Sequence, residues 1–322
     1  MKNFKTQEEF ISQIKEIDQT RSSLSGQEVE ILDDRGELKY KIEVGKLVGA
    51  GASCLVYEVK VDDLYPPKKN MILKEFFPNY NEEDIVGIRD EADPIKLHFD
   101  AKDQESLLTL VKDRKKFIDS YDKHIKVMEI DPILEDMIVR PYKLEKSDDY
   151  LFALYDTDKA QSVDKYNNLD LGRIIDVLRQ TSKILHFLHQ KEIIYMDLKP
   201  ANILYDYKRD RVKLFDFDAA VFLDDLDSIT EFFMPNERAF IPPELRYVSN
   251  INKRKEIFIS EEIDLYMLGV TFFYLLMDRY PEDLENEDMD YLDRNLREVL
   301  FKKSNRIFLN KVTTDKIIDL LK

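Results

Sequence analysis

Asp197, Lys199 and Asn202 lie within six positions of one another, in Tyr-Met-Asp-Leu-Lys-Pro-Ala-Asn-Ile-Leu at residues 195–204. A buried strand would not choose them, because each ionised group would need a partner. A surface loop can hold them to no purpose. Asp216 follows 14 residues after Asn202, at the end of the apolar run in Val-Lys-Leu-Phe-Asp-Phe-Asp-Ala-Ala. Carboxylate and amide oxygens, completed by water and phosphate, suit a hard cation such as magnesium. Asp197 is then left to orient an attacking hydroxyl or to accept its proton. Each residue alone is ambiguous; their order and spacing together are specific.

Two upstream features add to this set. Gly49 and Gly51, in Val-Gly-Ala-Gly-Ala-Ser-Cys-Leu-Val-Tyr-Glu-Val, let the backbone approach a ligand closely. Their context is strand–Gly-x-Gly–strand, unlike the dinucleotide motif that opens a helix. A glycine pair in a hairpin is equally a plain turn. Lys74 follows 25 residues after Gly49, inside the apolar Met-Ile-Leu-Lys-Glu-Phe-Phe. It either snorkels to solvent or points inward to hold phosphate oxygens.

The elements that must position these residues fall into two halves. Residues 4–18 carry apolar residues at helical spacing, and residues 27–45 alternate around Asp33-Asp34-Arg35-Gly36 as a hairpin. Ser53–Val61 and Asn70–Phe77 are strand candidates, residues 103–120 a helix, and 128–144 and 148–155 further strands. From Asp170 the pattern turns helical, with a broad apolar face over Leu169–Gln190 and a buried helix in Glu261–Met277. Strands first and helices second predict an α+β, two-lobed chain jointed near residues 154–160.

Composition narrows the function classes. Lys and Arg number 49 and Asp and Glu 65, a net charge of −16. Such a surface repels nucleic-acid backbones and anionic membranes, so neither is an expected partner. The single cysteine, Cys54, cannot form an internal disulfide and fits a reducing cytoplasm. No apolar run is long enough for a membrane span. Residues 282–293 hold seven acids and no base, the pattern of a solvated face.

Together these motifs resemble the protein kinase superfamily over roughly residues 40–322. The stretch at 195–204 resembles its catalytic loop, Phe215–Asp218 its metal-binding motif and Ile241–Leu245 the end of its activation segment. Asp264–Val270 is similar to the start of its buried central helix, with Asp264 bracing the catalytic loop. The resemblance implies a bilobal α+β fold with a β-rich N-lobe and a mainly helical C-lobe. It also implies ATP- and magnesium-dependent phosphoryl transfer to serine or threonine hydroxyls of a protein substrate. Lys74 would hold the α- and β-phosphates, and Asn202 and Asp216 the metals. Asp197 would position the acceptor hydroxyl, and Lys199 would neutralise the transferred group. Gly49, Gly51 and Val56 would cover the nucleotide, with Ala153 at the gatekeeper position and Leu154 and Tyr155 in the hinge. Asp113 is the expected carboxylate partner of Lys74, with Glu105 the competitor. The implied division is an N-terminal extension (1–44, helix plus hairpin), an N-lobe (45–155) and a C-lobe (156–322).

Several positions depart from the family pattern. Cys54 replaces the third glycine, Ile72 the alanine two before the lysine, and Tyr195-Met196 the usual His-Arg. Without that arginine a phosphate on the activation segment lacks its clamp. Asp218 replaces a glycine, and Glu237 and Phe240 stand where threonine and tyrosine are common. Two alternatives stay open: a pseudokinase scaffold that binds nucleotide without turnover, and a kinase acting on a small molecule. The arginine that normally pairs with the glutamate matching Glu244 lies beyond a helix resembling Thr313–Lys322. Either Arg246 or another local base substitutes for it, or the parent chain continues past Lys322.

Overall fold

The computed structural model describes residues 23–33, 35–50, 53–62, 68–78, 85–166, 169–228, 238–242, 245, 259–279, 297–300 and 302–303. It divides into two compact units. One comprises the described residues from 23 to Glu135 together with Val139–Lys159, and the other Asp136–Ile138 with the described residues from Ala160 onward. The first is β-rich and the second mainly helical, which is the bilobal α+β class. The helix expected over 4–18, Gly51, Glu237, Glu244, Arg246, the acidic run and the final helix all lie outside the described residues.

The β-rich unit is built on β1 (Glu28–Leu32), β2 (Leu38–Ala50), β3 (Cys54–Asp62), β4 (Lys68–Phe76), β7 (Arg140–Lys146) and β8 (Leu151–Asp156), with a hairpin of β5 (Ile85–Arg89) and β6 (Leu97–Ala101). The six main strands form one antiparallel sheet in the order β1-β2-β3-β4-β8-β7. Its first turn follows from local chemistry. Gly36 takes φ +78°, a conformation a side chain would strain, and Asp33 Oδ1 accepts from the amides of Arg35 and Glu37 at 2.9 Å each. Because β2 runs unbroken through Ala50, residue 44 falls inside a strand rather than at a boundary. Alternation along β1 and β3 sends Val29, Ile31, Leu55, Tyr57, Val59 and Val61 into one core, with Leu73, Phe152 and Leu154 from neighbouring strands.

Helix α1 (Gln104–Ile130) starts at Asp103, whose Oδ1 accepts from the Ser106 amide at 2.8 Å. It runs ten residues beyond the expected end at 120. Tyr121, His124 and Val127 continue its buried stripe, and His124 bonds the Val139 carbonyl at 2.7 Å. The strand expected over 128–144 is therefore corrected. Its first residues finish α1, Pro132–Asp136 form a short 3-10 turn, and pairing begins at Arg140. Pro132 forces the stop, since the residue before proline is driven out of the helical region, and Asp131 is extended at φ −153°, ψ 127°.

The second unit holds α2 (Leu171–Gln190) and α3 (Glu261–Met277), with the short strands β9 (Gln161–Ser162), β10 (Ile193–Ile194), β11 (Ile203–Asp206), β12 (Arg211–Leu214) and β13 (Val221–Phe222). Asp170 caps α2 by accepting from the Arg173 amide at 2.9 Å. Among the described residues, no helix is long and apolar enough to cross a membrane.

Candidate active site

The short strands of the second unit do the positioning. β10 pairs with β13 and β11 with β12, so the loop from Tyr195 to Asn202 runs beside the segment from Phe215 to Ala220. A backbone bond fixes the two directly: the Phe215 amide donates to the Asn202 carbonyl at 3.0 Å. Residues 14 apart in sequence, Asn202 and Asp216, are thereby brought next to each other. The Asn202 side-chain amide donates to the Asp197 carbonyl at 2.8 Å and to Asp197 Oδ2 at 2.7 Å. With both amide hydrogens so engaged, the atom Asn202 offers a ligand is its oxygen. Lys199 Nζ lies 3.2 Å from the same Asp197 oxygen.

Asp264, fully buried in the first turn of α3, sets the loop's backbone. Its Oδ2 accepts from the Tyr195 amide and His189 Nε2, and its Oδ1 from the Met196 amide, all at 2.8 Å. These bonds hold Met196 at φ +68°, a conformation that side chains other than glycine's disfavour. Sequence reading named Asp264 but missed His189, whose imidazole also lies 3.3 Å from Glu261 Oε2. Its signal was an imidazole at the end of a helix facing an aspartate in the start of another.

Tyr195, where the family carries histidine, is buried. Its hydroxyl donates to the Phe215 carbonyl, and its ring meets Phe217 edge-on at 5.0 Å. It therefore links the loop over residues 195–202 to the segment bearing Asp216. Burial pushes the Tyr195 phenol well above its ordinary range, with the charges of Asp197 and Asp216 adding to the effect. Asp216 takes φ +64°, whereas Asp218 is not among the left-handed positions of the described residues. Its backbone thus has no need of the glycine it replaces.

The β-rich unit assembles the second group. Gly49 faces Val56, Val56 faces Lys74, and Lys74 faces Ala153 across four successive strands. Directly opposed residues share a face, so these four form one row on one side of the sheet. Lys74 is 5% exposed, which excludes the snorkelling alternative for its described position. A Cβ on Gly49 would meet Val56 at an ordinary 3.5 Å, so packing does not demand that glycine. Tyr155 shares the row's face and packs on Tyr121 and His124 of α1. Leu154 points the opposite way into the core, leaving its backbone as what it offers a nucleotide.

Asp113 lies one turn before Phe117, whose ring packs edge-on against Phe76 at 5.8 Å. Phe76 shares a strand face with Lys74, so Asp113 is on the side of α1 turned to that face. Lys116 Nζ is 3.8 Å from its carboxylate. Glu105, in the exposed first turn, is the weaker candidate. Cys54 is half-buried opposite Phe76.

Among the described residues, no cluster of three or more His, Cys, Asp or Glu side chains can hold a metal by itself. A cation at Asn202 and Asp216 therefore needs further oxygens from phosphate and water, which is how magnesium is bound beside nucleotides.

A sequence model of the protein kinase domain matches residues 108–322. Serine/threonine-protein kinase ELM1 of Saccharomyces cerevisiae is 31% identical over 154 residues, 44% of this chain and 24% of that protein. Aurora kinase C of Mus musculus is 28% identical over 142 residues, 44% and 46% of the two chains. Serine/threonine-protein kinase PknA of Nostoc sp. is 28% identical over 124 residues, 37% and 20%. The matched stretch spans between 20% and 46% of these relatives' own length.

Proposed function

The chain belongs to the protein kinase domain family, and from that premise we propose that it transfers the γ-phosphoryl group of ATP to serine or threonine hydroxyls of a protein substrate. The observation that carries this reading is the joining of Asp197, Asn202 and Asp216 by the Asn202 amide and the Phe215–Asn202 backbone bond. Asp197 orients the acceptor hydroxyl and takes its proton, and Lys199 neutralises charge on the phosphoryl oxygens. Lys74 holds the α- and β-phosphates, with Asp113 as its carboxylate partner. Gly49 and Gly51 cover the phosphates, Val56 and Ala153 flank the adenine, and Leu154 and Tyr155 form the hinge. Magnesium, held by Asn202 and Asp216, supplies charge neutralisation between the phosphates. The names of the relatives support hydroxyl rather than phenol acceptors. The single cysteine and the net charge of −16 suit a cytoplasmic protein that avoids nucleic acid and membranes.

The test is incubation with labelled ATP, magnesium and a mixed protein substrate. Asp197→Ala and Asp216→Asn should each lower transfer by about a hundredfold or more, the usual contribution of a positioned base or bound cation. Unchanged turnover in Asp216→Asn would refute the metal assignment. Zero turnover in the unaltered chain with intact nucleotide binding would favour a nucleotide-binding scaffold.

A further inference from the structure

Along β4, the residues facing the core of the β-rich unit run Met71, Leu73, Glu75 and, just past the strand, Phe77. Three are apolar and one is a carboxylate, and all are buried. A carboxylate there is unfavourable unless it is paired and hydrogen-bonded. Glu75 Oε2 accepts from Arg89 Nη2 at 2.9 Å and from the Tyr57 hydroxyl at 3.1 Å, and the Arg89 and Glu75 side chains are each 6% exposed. The Tyr57 hydroxyl accepts in turn from the Leu24 amide at 3.3 Å. Arg89 Nη1 donates to the Pro94 carbonyl at 2.7 Å, within its own hairpin. One carboxylate thus joins β3, β4, the β5–β6 hairpin and the segment ahead of β1.

The strand so tied is the one that carries Lys74, the adjacent residue on the opposite face. The hairpin also grips β4 a second time. Phe99 packs edge-on against Phe76 at 5.8 Å and Phe77 at 6.3 Å, and Phe76 passes the contact to Phe117 of α1. Gly87 is what admits this packing, since a Cβ there would come to 3.1 Å of the Phe77 ring and 3.3 Å of Phe99. The far end of the hairpin is pinned where the Leu97 amide donates to the Asp149 carbonyl at 2.7 Å.

We propose that Arg89 is a positioning residue for the nucleotide site: through Glu75 it fixes how β4 lies, and therefore where Lys74 presents its ammonium. This rests on the reading of Lys74 as the phosphate-holding residue. Apolar contacts are non-directional and tolerate sliding, whereas a hydrogen-bonded guanidinium fixes its partner in direction as well as distance. A shift of about 1 Å in a ligand-holding group is enough to change binding and rate by tenfold or more.

The experiment measures the affinity for a fluorescent ATP analogue with magnesium, and the thermal midpoint, for the unaltered chain, Arg89→Leu, Arg89→Lys and the double variant Glu75→Leu/Arg89→Leu. Arg89→Leu strands a buried carboxylate and should lower both quantities. The double variant removes the unpaired charge but takes a partner from the Tyr57 hydroxyl and the Pro94 carbonyl, so its thermal midpoint should recover in part while its affinity stays about tenfold weaker. Arg89→Lys keeps a cation at Glu75 and should fall between. Full recovery of affinity in the double variant would make the pair merely structural and overturn the proposal. Should the double variant not fold, Arg89→Lys decides: affinity equal to that of the unaltered chain overturns the proposal, and an intermediate loss at native midpoint supports it. An unaltered chain that binds no nucleotide refutes the reading of Lys74, and the role of Arg89 falls with it. Binding by the unaltered chain with indifferent variants refutes the role of Arg89 alone.

Discussion

Replacing Asp264 tests whether one buried carboxylate sets the loop that carries Asp197 and Asn202. It accepts three hydrogen bonds, from the Tyr195 and Met196 amides and from His189 Nε2, and has no exposure to water. Asp264→Ala leaves all three donors without their acceptor, at about 1–3 kcal/mol for each buried unsatisfied group. Such losses within one network are not additive, and water entering the vacated space offsets part of them. The expected total is about 3–5 kcal/mol, a large share of the ~5–15 kcal/mol that holds a domain together. Asp264→Asn should cost less, about 2–3 kcal/mol. Its remaining oxygen can serve the Tyr195 amide and His189, but its NH2 then faces the Met196 N–H, donor against donor.

A second substitution weighs backbone geometry against packing. Met196 is held at φ +68° against a preference worth about 1–2 kcal/mol. Glycine adopts that conformation freely, but Met196 is fully buried, so Met196→Gly in the Asp264→Ala background should cost a further ~2–5 kcal/mol of packing, more than the ~1 kcal/mol of backbone preference it relieves. The chain has no tryptophan, so urea unfolding is best followed by far-UV circular dichroism. A change below about 0.5 kcal/mol in Asp264→Ala, the size of an ordinary surface substitution, would refute this account.

Three further outcomes follow from the same geometry. Tyr195→Phe removes the donor to the buried Phe215 carbonyl and should destabilise by about 1–2 kcal/mol in urea unfolding. It should also change the alkaline limb. The folded state raises the Tyr195 pKa, so it holds the proton more tightly than the unfolded chain, and stability is lost as pH rises past the unfolded value near 10. The variant should therefore lose less between pH 9 and about 11 than the unaltered chain, and identical pH profiles would count against the assignment. Ala153, opposite Lys74, should admit N6-substituted ATP analogues that Ala153→Phe excludes while ATP still binds; affinities indifferent to the substitution would show that the gatekeeper lies elsewhere. Cys54 should be alkylated more slowly in the presence of magnesium and ATP, and equal labelling rates would argue against its place over the phosphates.

Much of the helical unit was legible because its helices carry plain signals. The expected helix over Glu261–Met277 has the bounds that the structure gives it, with acids in its first turn and a nearly continuous apolar body. The closeness of Asp197, Asn202 and the segment bearing Asp216 was legible from spacing, since topology that pairs β10 with β13 and β11 with β12 needs a fixed loop length on each side. The β5–β6 hairpin escaped because its pattern is inverted. Val86 and Ile88 face outward at 45% and 49% exposure, while Gly87 and Arg89 occupy the inward positions. Binary patterning reads such a stretch as a loop, because long-range packing on Phe77 and Glu75 overrides it. Glu75 escaped for a related reason: nothing local marks it, and its partner is 14 residues away.

The departures in the catalytic loop are less damaging than their number suggests, because each falls where the backbone or a substitute carries the load. Met196 replaces an arginine, yet what that position needs for loop geometry is an amide held by Asp264, which every residue but proline supplies. Tyr195 replaces a histidine, yet its hydroxyl still reaches the backbone of the neighbouring segment, and its ring adds packing on Phe217. Asp218 replaces a glycine at a position whose backbone is not left-handed. What is lost with the arginine is a cation for a phosphate on the activation segment, a regulatory contact rather than a structural one. The tie from Arg89 to Glu75 and the stack of Phe99, Phe76 and Phe117 are, by contrast, fixed by burial and need no modification to form.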